Sequence, residues 1–541
     1  MSSLPVVEVP TLDASCLQVH RFTRSKTASL LAMLAAAVLP ATVASAAVTN
    51  YVWDGNAPLG GGGNSRWIRA NNWLATNTAP PANIVSGLTD TDITFSGNVK
   101  TSPQMDSDYY IRTLNFDSGA AAFSLSSQNA EILNIGAGGI NNFSTNRQSI
   151  FSSLSVSNSQ AWNAANGDLA ILGLVNLGGA NVLTITGAFN TDVSNVVQGT
   201  GSLVKQGAGT LTLAGASANL FAGGVTVQAG TLFAAKTNAL GSGPLTLSGG
   251  TLNIGAFNQS VSSFTLLGGT LLATSGSLSS SSAFQILAGN INSRLGGTGG
   301  LVKTTAGVAT LTSPNTYTGG TWITGGSLLV NNVTGSGTGT GAVSVSGGGL
   351  LAGTGSISGI VTNGLGGTIS AGNQIGVLNL GSSFWLGGST NRWDISNATG
   401  LAGTGWDLLN LSGSLTINAT TNNKAYIDIT SFTLGGLPGL TSNFNPTNSY
   451  LWTILTASGG INFAPGGNEQ TVLELLAGNF INPQTGGRFG IFVSTDGKNL
   501  NLTFTPYVPV PEPNGIAIAT LTACGIIYGR RVKQNWSSSA R

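Results

Sequence analysis

Of 541 residues, 79 are glycine, 20 are Lys or Arg, 18 are Asp or Glu and one is histidine. Seven of the cations and two of the anions lie outside residues 47–513, which leaves 13 cations and 16 anions over that span. These are too scattered for the basic stripe a nucleic-acid binder needs, while 41% hydrophobic content excludes simple disorder.

In chain order, the first predicted element is an export signal. Arg21, Arg24 and Lys26 precede the apolar run Ala28–Leu39, and Ala44-Ser45-Ala46 has the small-x-small form that signal peptidase cleaves. Residues 1–46 are therefore expected to be a signal peptide with a long leader, recognised by the general secretion machinery and cut after Ala46. Cleavage would remove Cys16 and the single His20, and Cys524 lies in the tail. Residues 47–513 are then expected to fold without a disulfide framework, without metal or cofactor, and without Ser-His-Asp, Cys-His or His-rich zinc chemistry.

Residues 47–165 are expected to form a Trp-rich β region or cap. Trp53, Trp67 and Trp73 fall close together, and two readings stand: the rings close the first coil of the repeat body, or they stack on sugars. Asp90-x-Asp92 and Asp106-x-Asp108 would each set two acids on one face of a strand, a spacing suited to Ca²⁺ or to a general acid and base. The plainer reading is solvated turn residues.

The body, residues 166–380, is a repeat. Gly-Thr-Leu recurs at 209–211, 230–232, 250–252 and 269–271, and Gly199–Lys205 returns as Gly297–Lys303, offset by 98. Alternation such as Thr210-Leu211-Thr212-Leu213 is strand periodicity, with glycine pairs supplying the tight corners. Coils of about 20 residues built this way predict an all-β chain whose body is a right-handed parallel β-helix, or β-solenoid. Thr184-x-Thr186 and Thr210-x-Thr212 could line a sugar or order water, but such pairs do not recur in every coil. The units Gly201–Leu213 and Gly223–Leu232, with a weaker copy at Leu301–Leu328, resemble autotransporter-associated β-strand repeats. That resemblance implies a surface-exposed solenoid and no activity. The terminal membrane barrel of autotransporters is not expected, because residues 381–506 have long glycine-rich gaps and read as further β-structure closing the solenoid or as a small sandwich.

Residues 507–541 form the last segment, in which Pro511-Glu512-Pro513 is followed by the apolar stretch Gly515–Tyr528 and then Arg530-Arg531. Fourteen apolar residues are short for a span, yet the flanking prolines and basic pair have a stop-transfer pattern. The three-part pattern resembles the PEP-CTERM sorting tail. The resemblance implies an exosortase-type processing enzyme as partner and a hydrophobic anchor helix that holds the chain, transiently or permanently, at the membrane.

The combined expectation is an exported, non-catalytic surface or extracellular-matrix protein, structural or adhesive, contacting exopolysaccharide or copies of itself. Two alternatives remain, a carbohydrate-binding surface protein and a polysaccharide lyase or hydrolase. The second is short of charge, because residues 169–391 offer only Asp192, Lys205, Lys236, Arg294 and Lys303.

Overall fold

The computed structural model describes residues 48–55, 65–74 and 87–508. The cleavage-site residues Ala44 and Ala46, and Pro511, Glu512, Pro513, Arg530 and Arg531 of the tail, lie outside the described residues. All described residues belong to one compact unit.

Short strands separated by glycine-rich corners cannot bury an apolar face alone, so they stack. Ser202–Lys205, Thr210–Leu213 and Leu220–Phe221 make one coil with three faces. The next coil lays Val225–Val227 beside the first of these strands and Thr231–Ala234 beside the second, parallel and in register. Repetition gives a parallel β-solenoid of the right-handed type. On the first face the ladder runs from Thr49–Trp53 to Ile461–Phe463, and it passes through residues 165 and 380 without a break. Coils widen toward the C-terminus, from the 20 residues between paired Val225 and Leu245 to the 46 between paired Leu415 and Ile461.

Alternation along each strand turns every second side chain inward. Leu211, Leu232, Leu252, Leu271, Ile291 and Leu311 are registered partners on consecutive strands of the second face, and all are fully buried. One such column removes apolar side chains worth roughly 1.5–3 kcal/mol each from water.

Aromatic rings pack near both ends of the stack. At the N-terminal end Trp53, Trp67 and Trp73 are 0–1% exposed, with Trp53 and Trp73 edge to face at 5.1 Å and Trp67 4.9 Å from Tyr109. At the other end the third-face strands Val377–Leu380, Leu408–Leu411 and Tyr450–Ala457 continue into an antiparallel pair, Asn499–Thr505 and then Arg488–Val493. Phe444, Phe480, Phe489 and Phe504 pack there with centroids about 5 Å apart.

Candidate functional site

The repeat motif points inward. Lys205 ends its strand on the inner side, registered between Ile185 and Val227, and its Nζ donates to the carbonyls of Gln206 at 2.5 Å, Gly207 at 2.9 Å and Ala229 at 3.3 Å. Lys303 is placed the same way, donating to Thr305 and, at 3.1 Å, to Gly325. Burial pulls the Lys205 ammonium down to about 8 and lowers those of Lys236 and Lys303. A lysine ammonium so placed satisfies corner carbonyls that the ladder leaves open. Glycine is required opposite: Gly230 and Gly326 have φ of +64° and +62°, and a Cβ there would fall 2.8 Å and 2.6 Å from the two Nζ atoms. Buried Asn219 accepts from Val197 N–H and donates to Ala239 C=O, and Asn315 does the same between Leu295 and Gly337, so each amide clips the coils on either side of it. The lysines available to a catalytic groove are therefore structural.

The outward residues of the same motif form a regular array. Thr210, Thr231, Thr251, Thr270, Asn290 and Thr310 are registered neighbours on the second face, one per coil. Their spacing is that of adjacent strands, about 4.8 Å. The array that is missing as Thr-x-Thr within strands runs along the axis instead, and its sequence signal is the Thr of each Gly-Thr-Leu. On the first face Thr226, Thr246 and Thr265 are registered in the same way. Nearer the N-terminus, Thr94, Asn115, Asn141, Asn163 and Thr186 make an outer ladder. Within it Asn141 donates to Asn115 at 3.0 Å and Thr186 to Asn163 at 3.3 Å. Trp322, 47% exposed, lies over Gly300 and Gly320 on the first face.

The tryptophans and paired acids of the N-terminal region have other duties. Trp53, Trp67 and Trp73 lie in the interior, their rings 0–1% exposed and packed against one another and against Tyr109. Asp90 ends a four-residue helix, Gly87–Asp90, so Asp90 and Asp92 do not share a strand face. Asp92 takes both Nε and Nη2 of Arg112. Asp106 and Asp108 precede the strand Tyr109–Phe116, where Asp106 accepts from the Tyr109 hydroxyl and Asp108 from Ile132 N–H at 2.7 Å. These are turn and capping contacts.

Sequence reading missed one charged cluster. After the charge-free span Thr304–Asn391, the first charges are Arg392, Asp394 and Asp407, and the fold gathers them. Asp394, fully buried, accepts from Arg392 Nε at 3.2 Å and Nη2 at 3.1 Å through Oδ2, while its Oδ1 has no partner. Asp407 accepts from Gly376 N–H, Asp394 N–H and, at 3.4 Å, Ser370 Oγ. Burial pushes the Asp394 carboxyl up to about 6 and, with Asp394 beside it, lifts Asp407 well above the carboxylate range. Arg392 and Asp428, with Thr368, Thr390 and Asn479, line a shallow groove of about 470 Å³ outside the pair. Among the described residues no group of three or more His, Cys, Asp or Glu side chains is placed to hold a metal ion.

Fold and surfaces together define a parallel β-solenoid with a structural interior and uncharged, hydroxyl-rich outer columns. Residues 203–232 and 301–330 match the family model of the passenger-associated transport repeat, and these two segments carry the Lys205–Gly230 and Lys303–Gly326 pairs. No curated protein matches the chain. In its repeats the chain is similar to passengers of the autotransporter kind, which suggests an exported or surface protein.

Proposed function

We propose that this chain is an exported, non-catalytic element of the cell surface or extracellular matrix. Signal peptidase removes its leader, and an exosortase-type enzyme processes its C-terminal tail. The solenoid supplies reach, and its outer columns make weak, repeated contacts with neutral polysaccharide or neighbouring copies. The observation that carries this reading is the Thr210–Thr310 column, which repeats one polar group per coil while the lysines turn inward. Hydroxyls at that repeat can engage a chain of sugars directly or through water.

The test places charge on the column without touching the core. Thr231→Lys with Thr251→Lys should leave the circular dichroism unchanged and lower retention of the protein in the host's exopolysaccharide several-fold. Unchanged retention would remove the column from the function. The hydrolase alternative is favoured by one feature, the raised Asp394 and Asp407 carboxyls behind the Arg392–Asp428 groove. New reducing ends on incubation with that polysaccharide, lost in Asp428→Asn, would replace the non-catalytic reading.

A further inference from the structure

The corner between the second and third faces changes character in the last coils. There the loops 396–407, 432–449 and 477–487 follow second-face strands and lead to Leu408–Leu411, Tyr450–Ala457 and Arg488–Val493. Leu401, Leu434, Leu437, Leu440 and Ile481 project from them, each 52–75% exposed. The sole charged residue in these three loops is buried Asp407.

The loops form one hydrogen-bonded unit. Ala398 N–H donates to Ser442 C=O at 2.9 Å and Ser442 N–H to Ser396 C=O at 2.8 Å. Asn482 accepts from Thr441 N–H at 2.7 Å and donates to Thr441 C=O at 3.0 Å. A tight turn, Thr433 N–H to Leu437 C=O at 2.8 Å, holds Leu434 and Leu437 outward, and Gln374 Nε2 ties Gly436 to the coil above. Aliphatic tips project from a braced corner whose surface carries no charge. They suit a fluid apolar phase.

The chain leaves the solenoid at the same corner. Asn499–Thr505 runs antiparallel to Tyr450–Ala457, so its end returns to the loops, and Tyr507 packs over Gly486 of the third loop. The apolar stretch begins at Gly515, eight residues beyond Tyr507, within about 28 Å even if fully extended. Exposed Arg488 lies beside this exit, paired with Thr505.

We infer that the corner formed by Leu401, Leu434, Leu437, Leu440 and Ile481 rests in the interface of a lipid bilayer, setting the orientation of the solenoid while its tail is still anchored. The inference uses the sorting-tail reading only for the presence of an apolar anchor after residue 514. The short tether keeps the corner at the bilayer, and the leucine tips then enter the headgroup region while the hydroxyl columns stay in water.

The experiment uses the full chain with Cys16→Ser and Cys524→Ser, carrying a polarity-sensitive fluorophore on Leu437→Cys. A control carries it on Phe189→Cys, an exposed site many coils toward the N-terminus on another corner. Both are mixed with phosphatidylcholine–phosphatidylglycerol vesicles and floated. The Leu437 probe is expected to brighten several-fold, shift to the blue and be quenched by spin-labelled lipid, while the Phe189 probe keeps its spectrum in water. Flotation with an unchanged Leu437 probe overturns the corner contact and leaves the anchor standing. No flotation overturns both. Brightening that needs concentrated protein and no lipid would assign the corner to a second copy and overturn the inference.

Discussion

Two buried carboxyls set the pH response of the C-terminal coils. Asp394 takes up a proton at about 6 in the folded chain and near 3.9 when unfolded, so folding binds a proton between those values. The stability this contributes is full below the unfolded value and is lost as pH rises to about 6. Asp407, raised by burial and by Asp394 beside it, contributes a decline of the same sign. Hydrogen exchange in Thr390–Ile395 and Leu408–Leu411 should accordingly show weaker protection as pH rises through this window, after correction for intrinsic rates. Asp394→Asn should flatten much of the change, and an equal decline in that variant would assign it to other groups. Nothing in the sequence announced this pair, because the residues lie 13 apart and meet only when the loop 396–407 folds back on its coil.

A coil is a pattern of inward and outward positions, and the repeat motif serves both. Its Leu fills the interior, its Thr builds the outer column and its Gly makes room for the lysine of the preceding coil. Gly230→Ala brings a Cβ to 2.3 Å from Gly207 O and to 2.8 Å from Lys205 Nζ at a φ of +64°. The left-handed conformation and the overlap together should cost about 2–4 kcal/mol. Gly97→Ala is the control, since Gly97 has a φ of +67° and nothing within 4 Å, so only the backbone cost remains. Chemical denaturation of both variants separates the two terms. Equal losses would mean that the lysine and its corner yield without cost. The strands themselves were legible: the alternation expected at Thr210–Leu213 is found as the strand Thr210–Leu213. Alternation is local, so it survives in a single segment of sequence.

Across the whole molecule, parallel ladders have two open ends, and each end would template pairing with another chain unless covered. Trp53, Trp67 and Trp73 pack inside one end, and the antiparallel pair with its phenylalanines extends the third-face ladder at the other. Replacing Pro511-Glu512-Pro513 by three alanines tests whether the tail directs sorting. Intact mass and fractionation from the native host should show loss of about 30 C-terminal residues with surface release in the wild type, the segment beyond Pro511, and membrane retention of the variant. An uncut tail in both would make the chain a membrane-tethered solenoid.

The sequence by itself determined the alternation of inward and outward residues, the glycine corners, the coil length and the scarcity of charge, because each is a property of neighbours along the chain. Tertiary structure decided which residues became neighbours across coils. Single threonines about 20 residues apart became one column, lysines of the repeat turned inward to corner carbonyls, and Trp53, Trp67 and Trp73 met in the interior. The physical reason is register. In a parallel stack one hydrogen-bonded step per coil fixes every contact along the axis, and that step is formed between residues whose distance in sequence varies from coil to coil.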